Sequence, residues 1–157
     1  MTYFNDLSPC DYFPVESREP LLAVGWLNPE HDFCRGSVDR AFAAKLFELL
    51  RDPWQPCVFC GCHECEFCRF SEGPNSFRLR RQNDFVRVGC LNLFVPGEGC
   101  VFVAPSLIIH YIDSHGYSPP AVFQQAVLAC PETRSMRYLR SLVSRGLKRA
   151  VNDWEIM

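Results

Sequence analysis

Apolar positions recur along this chain in helical, alternating and continuous patterns. From Leu21 to Leu27 they run on without a break between Pro20 and Asn28-Pro29, which predicts a short strand covered on both faces and central in its sheet. Val38, Ala41, Phe42, Leu46, Leu49 and Leu50 then return at helical spacing, with Arg40, Lys45, Glu48 and Arg51 on the other side. Ser37 offers an N-cap for this helix and Pro53 a stop. Phe85 to Val88, Leu91 to Val95 and Val101 to Val103 are short β-rich runs, and Pro96-Gly97-Glu98-Gly99 supplies hairpin chemistry between the last two. A helix is predicted over 105–115, opened by Pro105 and closed by Gly116, and another restarts after Pro119-Pro120 over Phe123, Ala126, Val127 and Leu128.

Pro131 opens a last predicted helix whose Met136, Leu139, Val143, Leu147 and Val151 form one stripe. Residues 1–20 are rich in aromatics and turn formers without a period and read as an extended segment laid on the core. The segment 54–75 has little core-forming periodicity and is expected to be a loop ordered by something other than apolar packing. The sum is an α+β fold: a small antiparallel sheet of short strands with three to four helices. Residues 1–130 are expected to form one domain, with 131–157 a basic amphipathic helix packed on it or extending it.

The chain has 157 residues, of which 48% are hydrophobic, enough for one sizeable core. The formal net charge of -2 argues against binding nucleic acid or anionic membrane through overall charge. No segment reaches the roughly 18 uninterrupted apolar residues of a membrane span, and the first residues lack the pattern of a secretory signal. The expectation from these features is a cytoplasmic chain without a membrane partner.

Cysteine changes the picture most. Five of the ten cysteines, Cys57, Cys60, Cys62, Cys65 and Cys68, lie within twelve residues. In a reducing compartment such clustering reads as metal ligation rather than disulfide bonding. Cys65-Glu66-Phe67-Cys68 is a C-x2-C knuckle, able to reach one zinc ion from a single tight turn. His110 and His115, at H-x4-H spacing on the helix 105–115, can complete a tetrahedron, and His63 can take the place of His115. Knuckle, hairpin and ligand-bearing helix in that order give a treble-clef-like site. Cys57 and Cys60 with Cys65 and Cys68 would instead make an all-cysteine loop, and Cys62 adds a further sulfur. The isolated Cys10, Cys34, Cys90, Cys100 and Cys130 read as small buried hydrophobes.

Catalytic readings are weaker. His63-Glu64 follows Pro56-Cys57-x2-Cys60, which is the wrong order and spacing for a zinc deaminase, and no helix follows Cys57 as a redox dithiol needs. A hydrolase would need an open metal position with Glu64 or Glu66 as base. Arg134, Arg137, Arg140, Arg145, Lys148 and Arg149 gather positive charge near the C-terminus, whereas residues 1–52 hold five basic and nine acidic side chains. That polarity suits a helix face docked on the acidic half, or a patch for nucleic acid or an acidic partner, which Arg78, Arg80, Arg81 and Arg87 would extend.

Several ordered motifs carry a resemblance: Tyr3-Phe4-x-Asp6-Leu7-Ser8-Pro9, Val24-Gly25-Trp26-Leu27, His63-x-Cys65-x2-Cys68, and Ala104-Pro105-x-Leu107-Ile108-x-His110-Tyr111-Ile112-x2-His115-x-Tyr117-x-Pro119-Pro120. Over residues 3–128 the chain resembles an uncharacterised family of small bacterial cytoplasmic proteins. The resemblance implies His63, Cys65, Cys68 and His110 as the ligands, has no counterparts of Cys57, Cys60 or Cys62, and brings no activity with it. The expectation is therefore a structural zinc in a protein that acts by contacting another protein, with nucleic-acid binding as the second reading and zinc-dependent hydrolysis as the third.

Overall fold

The computed structural model describes residues 2–57, 61–70 and 78–148, with side chains for all of these but 69 and 70. Its order is β1 (Leu21–Ala23), α1 (Arg40–Arg51), α2 (Glu66–Phe70), β2 (Arg78–Arg81), β3 (Asp84–Arg87), β4 (Asn92–Pro96), β5 (Val101–Pro105), α3 (Leu107–His115), α4 (Ala121–Ala129) and α5 (Met136–Ser144). The fold is α+β.

The main sheet has the order β1-β5-β4, with β4 antiparallel and β1 parallel to β5. The apolar run after Pro20 therefore supplies an edge strand, not a central one, and the sheet is mixed rather than purely antiparallel. The run is nevertheless covered, because the N-terminal segment lies along its outer edge: Cys10 N–H donates to Leu21 O (2.8 Å), Ala23 N–H to Ser8 O (2.9 Å) and Leu7 N–H to Ala23 O (2.7 Å). The central strand is β5, whose five residues are all buried. At Gly25 the chain leaves β1 with φ 76°, and a Cβ there would stand 2.8 Å from Ile108 Cγ1, so only glycine fits both the turn and the approach of α3. Trp26 then enters the core fully buried and donates its indole N–H to Val103 O at 2.9 Å.

The first helix starts later than the Ser37 cap predicts, because Asp39 is the N-cap and its carboxylate accepts from Ala41 N–H (2.7 Å). α3 and α4 lie where the proline and glycine signals place them, and Gly116 closes α3 at φ 68°. The last helix differs from its expected stripe. Its N-cap is Ser135, and its buried residues are Tyr138 and Leu142, while Met136 and Val143 are exposed. The cause is at the two ends of the helix: Tyr138 donates its hydroxyl to Phe94 O (2.6 Å) on β4, and Gly146 at φ 80° turns the chain so that Leu147 re-enters the core. Val151 and Arg149 lie outside the described residues.

Candidate metal centre

The stretch ahead of the knuckle is attached to the β3–β4 connection. His63 N–H donates to Gly89 O at 2.7 Å, and Cys62 is joined to Cys90 by a disulfide. Two expectations fall here: Cys62 is not a spare ligand and Cys90 is not a buried thiol. Neither spacing nor pattern signals this pairing, since it joins residues brought together only by the fold. The chain then forms α2, a single helical turn where the sequence pattern predicts loop. Cys65 stands just before that turn and Cys68 within it, and the backbone N–H groups of Cys68 and Phe67 point at the Cys65 sulfur. Such N–H donors favour a thiolate.

On the facing helix, His110 and His115 are five residues apart, about 140° around the axis at 100° per residue. They converge because His115 is the last helical residue before the left-handed Gly116 and its ring reaches back. The two imidazoles stand perpendicular, 89° apart in plane with centroids at 5.0 Å. Cys68 Sγ lies 3.1 Å from His110 Nε2 and 3.4 Å from His115 Nε2, Cys65 Sγ lies 3.3 Å from His115 Nε2, and the two Nε2 atoms are 3.3 Å apart. One ligand atom from each of these four residues lies within 4.8 Å of all the others.

Four donors at about 2.3 Å (sulfur) and 2.0–2.1 Å (nitrogen) from one tetrahedral ion stand about 3.3–3.8 Å from each other. The separations of 3.1–3.4 Å lie at or just below the short end of that range, and the four residues are close enough to hold one ion. Cys65, Cys68 and His110 are buried and His115 is half-buried. Burial pushes the Cys65 thiol up to about 11, with the neighbouring Cys68 adding to the rise, and burial also holds both imidazoles below the ordinary histidine pKa. Two neutral imidazoles and two thiolates with a divalent cation sum to zero charge, the one ionic arrangement that such a buried pocket accommodates without a further counter-ion.

The surroundings are aromatic and fixed. Phe67 lies 5.1 Å from the His115 ring and packs edge-on to Tyr111 and Phe33, and Arg35 donates to His115 O at 2.9 Å. Asn28 holds Glu66 through a 3.2 Å bond. Asp6, Gly25 and Tyr117, each from a different motif, meet nearby: the Asp6 carboxylate accepts from Gly25 N–H and from the Tyr117 hydroxyl, each at 2.9 Å. This bond fastens the exit of α3 to the N-terminal segment.

His63 does not join the four. Its Nε2 faces the Tyr12 hydroxyl at 3.3 Å, so the geometry favours His115 over the histidine that the resemblance points to. Cys57 is a half-buried free thiol outside the cluster, and Cys60 lies outside the described residues. Of the isolated cysteines, Cys10, Cys100 and Cys130 are buried as expected, while Cys34 is exposed.

The residues that carry the cluster and its supports fall inside a stretch, 2–128, that matches the family described as Domain of unknown function (DUF7919). The chain belongs to that family. No curated protein and no solved structure matches it. The DUF7919 region contains all four clustered residues and ends within α4, so that α5 and its arginines lie beyond it. Among the described residues, no helix is long and apolar enough to cross a membrane.

The basic C-terminal residues are not one free patch. Arg134 pairs with Asp52 through both carboxylate oxygens, and Arg145 pairs with Glu19 at 3.0 Å and donates to Gly97 O at 2.9 Å. Arg137, Arg140 and Lys148 are exposed. Two of the five described residues of the predicted patch, Arg134 and Arg145, thus pair with the acidic half of the molecule.

Proposed function

We propose that this DUF7919 protein holds one structural zinc ion through Cys65, Cys68, His110 and His115, and that the domain so fastened is an interaction module, an immunity, adaptor or regulatory protein that acts by contacting another protein. The mutual spacing of the four ligand atoms carries the metal part of this reading. Two sulfurs and two imidazole nitrogens at tetrahedral distances are a zinc donor set, and four protein ligands leave no position for a reacting water. A hydrolytic role gains no support: Glu64 is exposed and Glu66 is engaged by Asn28.

A nucleic-acid role has one observation in its favour, the exposed Arg78, Arg80, Arg81 and Arg87 on the β2–β3 hairpin. Against it stand the negative total charge and the arginines already paired on the acidic half.

The test is metal content per chain on protein purified without chelator, with a melting curve before and after stripping. About one zinc per chain, whose removal unfolds α2 and α3, is the expected result. Fully reduced protein that folds to the same stability without metal would overturn the proposal.

A further inference from the structure

The helix that presents the imidazoles has a second face. His110 and His115 turn toward the knuckle, while Ile109, Ile112 and Asp113 lie on the opposite side of α3 and line a groove of about 320 Å³. The other walls are α1, through Arg40, Ala43 and Phe47, and the β2–β3 hairpin, through Leu79, Arg80 and Arg81. The α1 residues stand at i, i+3 and i+7, so the groove follows that helix for about two turns.

We infer that this groove is the docking surface for an amphipathic acidic helix of a partner protein. Its floor is apolar: Phe47 and Ile109 are almost covered, and Leu79 and Ile112 are half-buried, which leaves aliphatic surface for a partner's apolar stripe. Its rim is cationic. Arg40, Arg80 and Arg81 are exposed and form no ion pair among the described residues, against a single carboxylate, Asp113. This contrasts with Arg51, Arg134 and Arg145, whose charges are met by Asp84, Asp52 and Glu19. A helix that sets aliphatic side chains at i, i+3, i+4 and i+7 with acidic flanks satisfies both features. Nucleic acid satisfies only the second, because a phosphate backbone has nothing to bury against Leu79 and Ile112.

The inference rests on the interaction-module reading and assigns the metal a task in it. By fixing His110 and His115, the ion would hold one side of α3 so that Ile109 and Ile112 keep their place on the other.

The experiment is selection of displayed peptides of about four helical turns, randomised in sequence, on the metal-loaded full chain. The selected peptides are expected to combine Asp or Glu with aliphatic residues at i, i+3 or i+4 and i+7. They should bind the Arg80→Glu, Arg81→Glu double variant about tenfold or more weakly, the scale of about 1.4 kcal/mol, and lysine-substituted peptides should recover binding to that variant. No enrichment, enrichment of neutral or basic peptides, undiminished binding to the double variant, or displacement of the peptides by an unlabelled RNA duplex overturns the inference. Metal content measured on the same samples separates the two readings. Native protein that keeps its metal yet enriches no such peptides defeats the groove alone; metal-free protein that still binds the peptides defeats the structural-metal reading and leaves the groove standing.

Discussion

β5 lies between two partner strands with every residue buried, and Trp26 bonds to it from a loop while Phe123 packs on its Phe102 from α4. Segment 54–68 shares the same molecule on other terms: among its described side chains only Pro56, Cys65 and Cys68 are buried. What positions that segment is directional. The Gln55 side-chain amide donates to Asn92 O and accepts from Asn92 N–H, Cys62 is bonded to Cys90, His63 N–H reaches Gly89 O, and the two knuckle sulfurs face two imidazoles. Apolar burial is non-directional and tolerates small changes; a four-ligand cluster fails when one donor is removed. The sheet side should therefore fold without an ion, and the knuckle side should not.

The largest effect is expected from removing a ligand. Cys65→Ser should lower bound metal from about one per chain to none, forfeiting much of an apparent zinc-binding free energy of about 10–16 kcal/mol. Hydrogen exchange should then show residues 61–70 and 107–115 losing protection while β4 and β5 keep theirs; uniform loss would break the contrast between the two sides. Trp26→Ala acts on the other side. It should cost about 3–5 kcal/mol in denaturant unfolding through the cavity and the lost bond to Val103, with metal content unchanged under native conditions.

Opening the Cys62–Cys90 crosslink comes next. Closing a loop of 28 residues restricts the unfolded chain by about 3–4 kcal/mol, so Cys62→Ser with Cys90→Ser should lower stability by up to that amount. The metal should remain, and its loss would show that crosslink and cluster form one unit.

Acid should act selectively on the knuckle side. Burial holds His110 and His115 below their ordinary pKa, so the unfolded chain takes up protons first. Stability present above about pH 6.5 is then lost as the pH falls toward the lowered folded values. Protons also compete with the ion for both thiolates, so bound metal and melting temperature should fall together as the pH is lowered over that range. The smallest effect is expected at His63: His63→Ala removes one contact to Tyr12 and should change stability by about 1 kcal/mol or less while leaving the metal in place.

How much of this was legible in sequence follows the same division. α3 and α4 could be placed because Gly116 and Pro119-Pro120 punctuate the chain locally, and Cys65, Cys68 and His110 could be singled out because knuckle and helix are local motifs. The pattern of β1 predicts a central strand although β1 lies at the sheet edge, because a run covered on both faces looks alike whether a strand or the N-terminal segment covers it. The stripe of α5 failed because the hydroxyl of Tyr138 and the turn at Gly146, rather than periodicity, choose its buried face. The fourth member of the cluster and the Cys62–Cys90 pairing depend on distances set by tertiary packing. His63 and His115 were both admissible by spacing, and the decision lies in a reach across about 140° of helix that sequence does not encode locally.

The central claim is a four-ligand site completed by His115. X-ray absorption at the zinc edge, on the native protein and on the His115→Ala and His63→Ala variants, tests it most directly. The account predicts two sulfurs at about 2.3 Å and two nitrogens at about 2.0–2.1 Å in the native protein. It also predicts an unchanged shell in His63→Ala and loss of the bound zinc in His115→Ala. A shell of four sulfurs, or one altered by His63→Ala and untouched by His115→Ala, would contradict it.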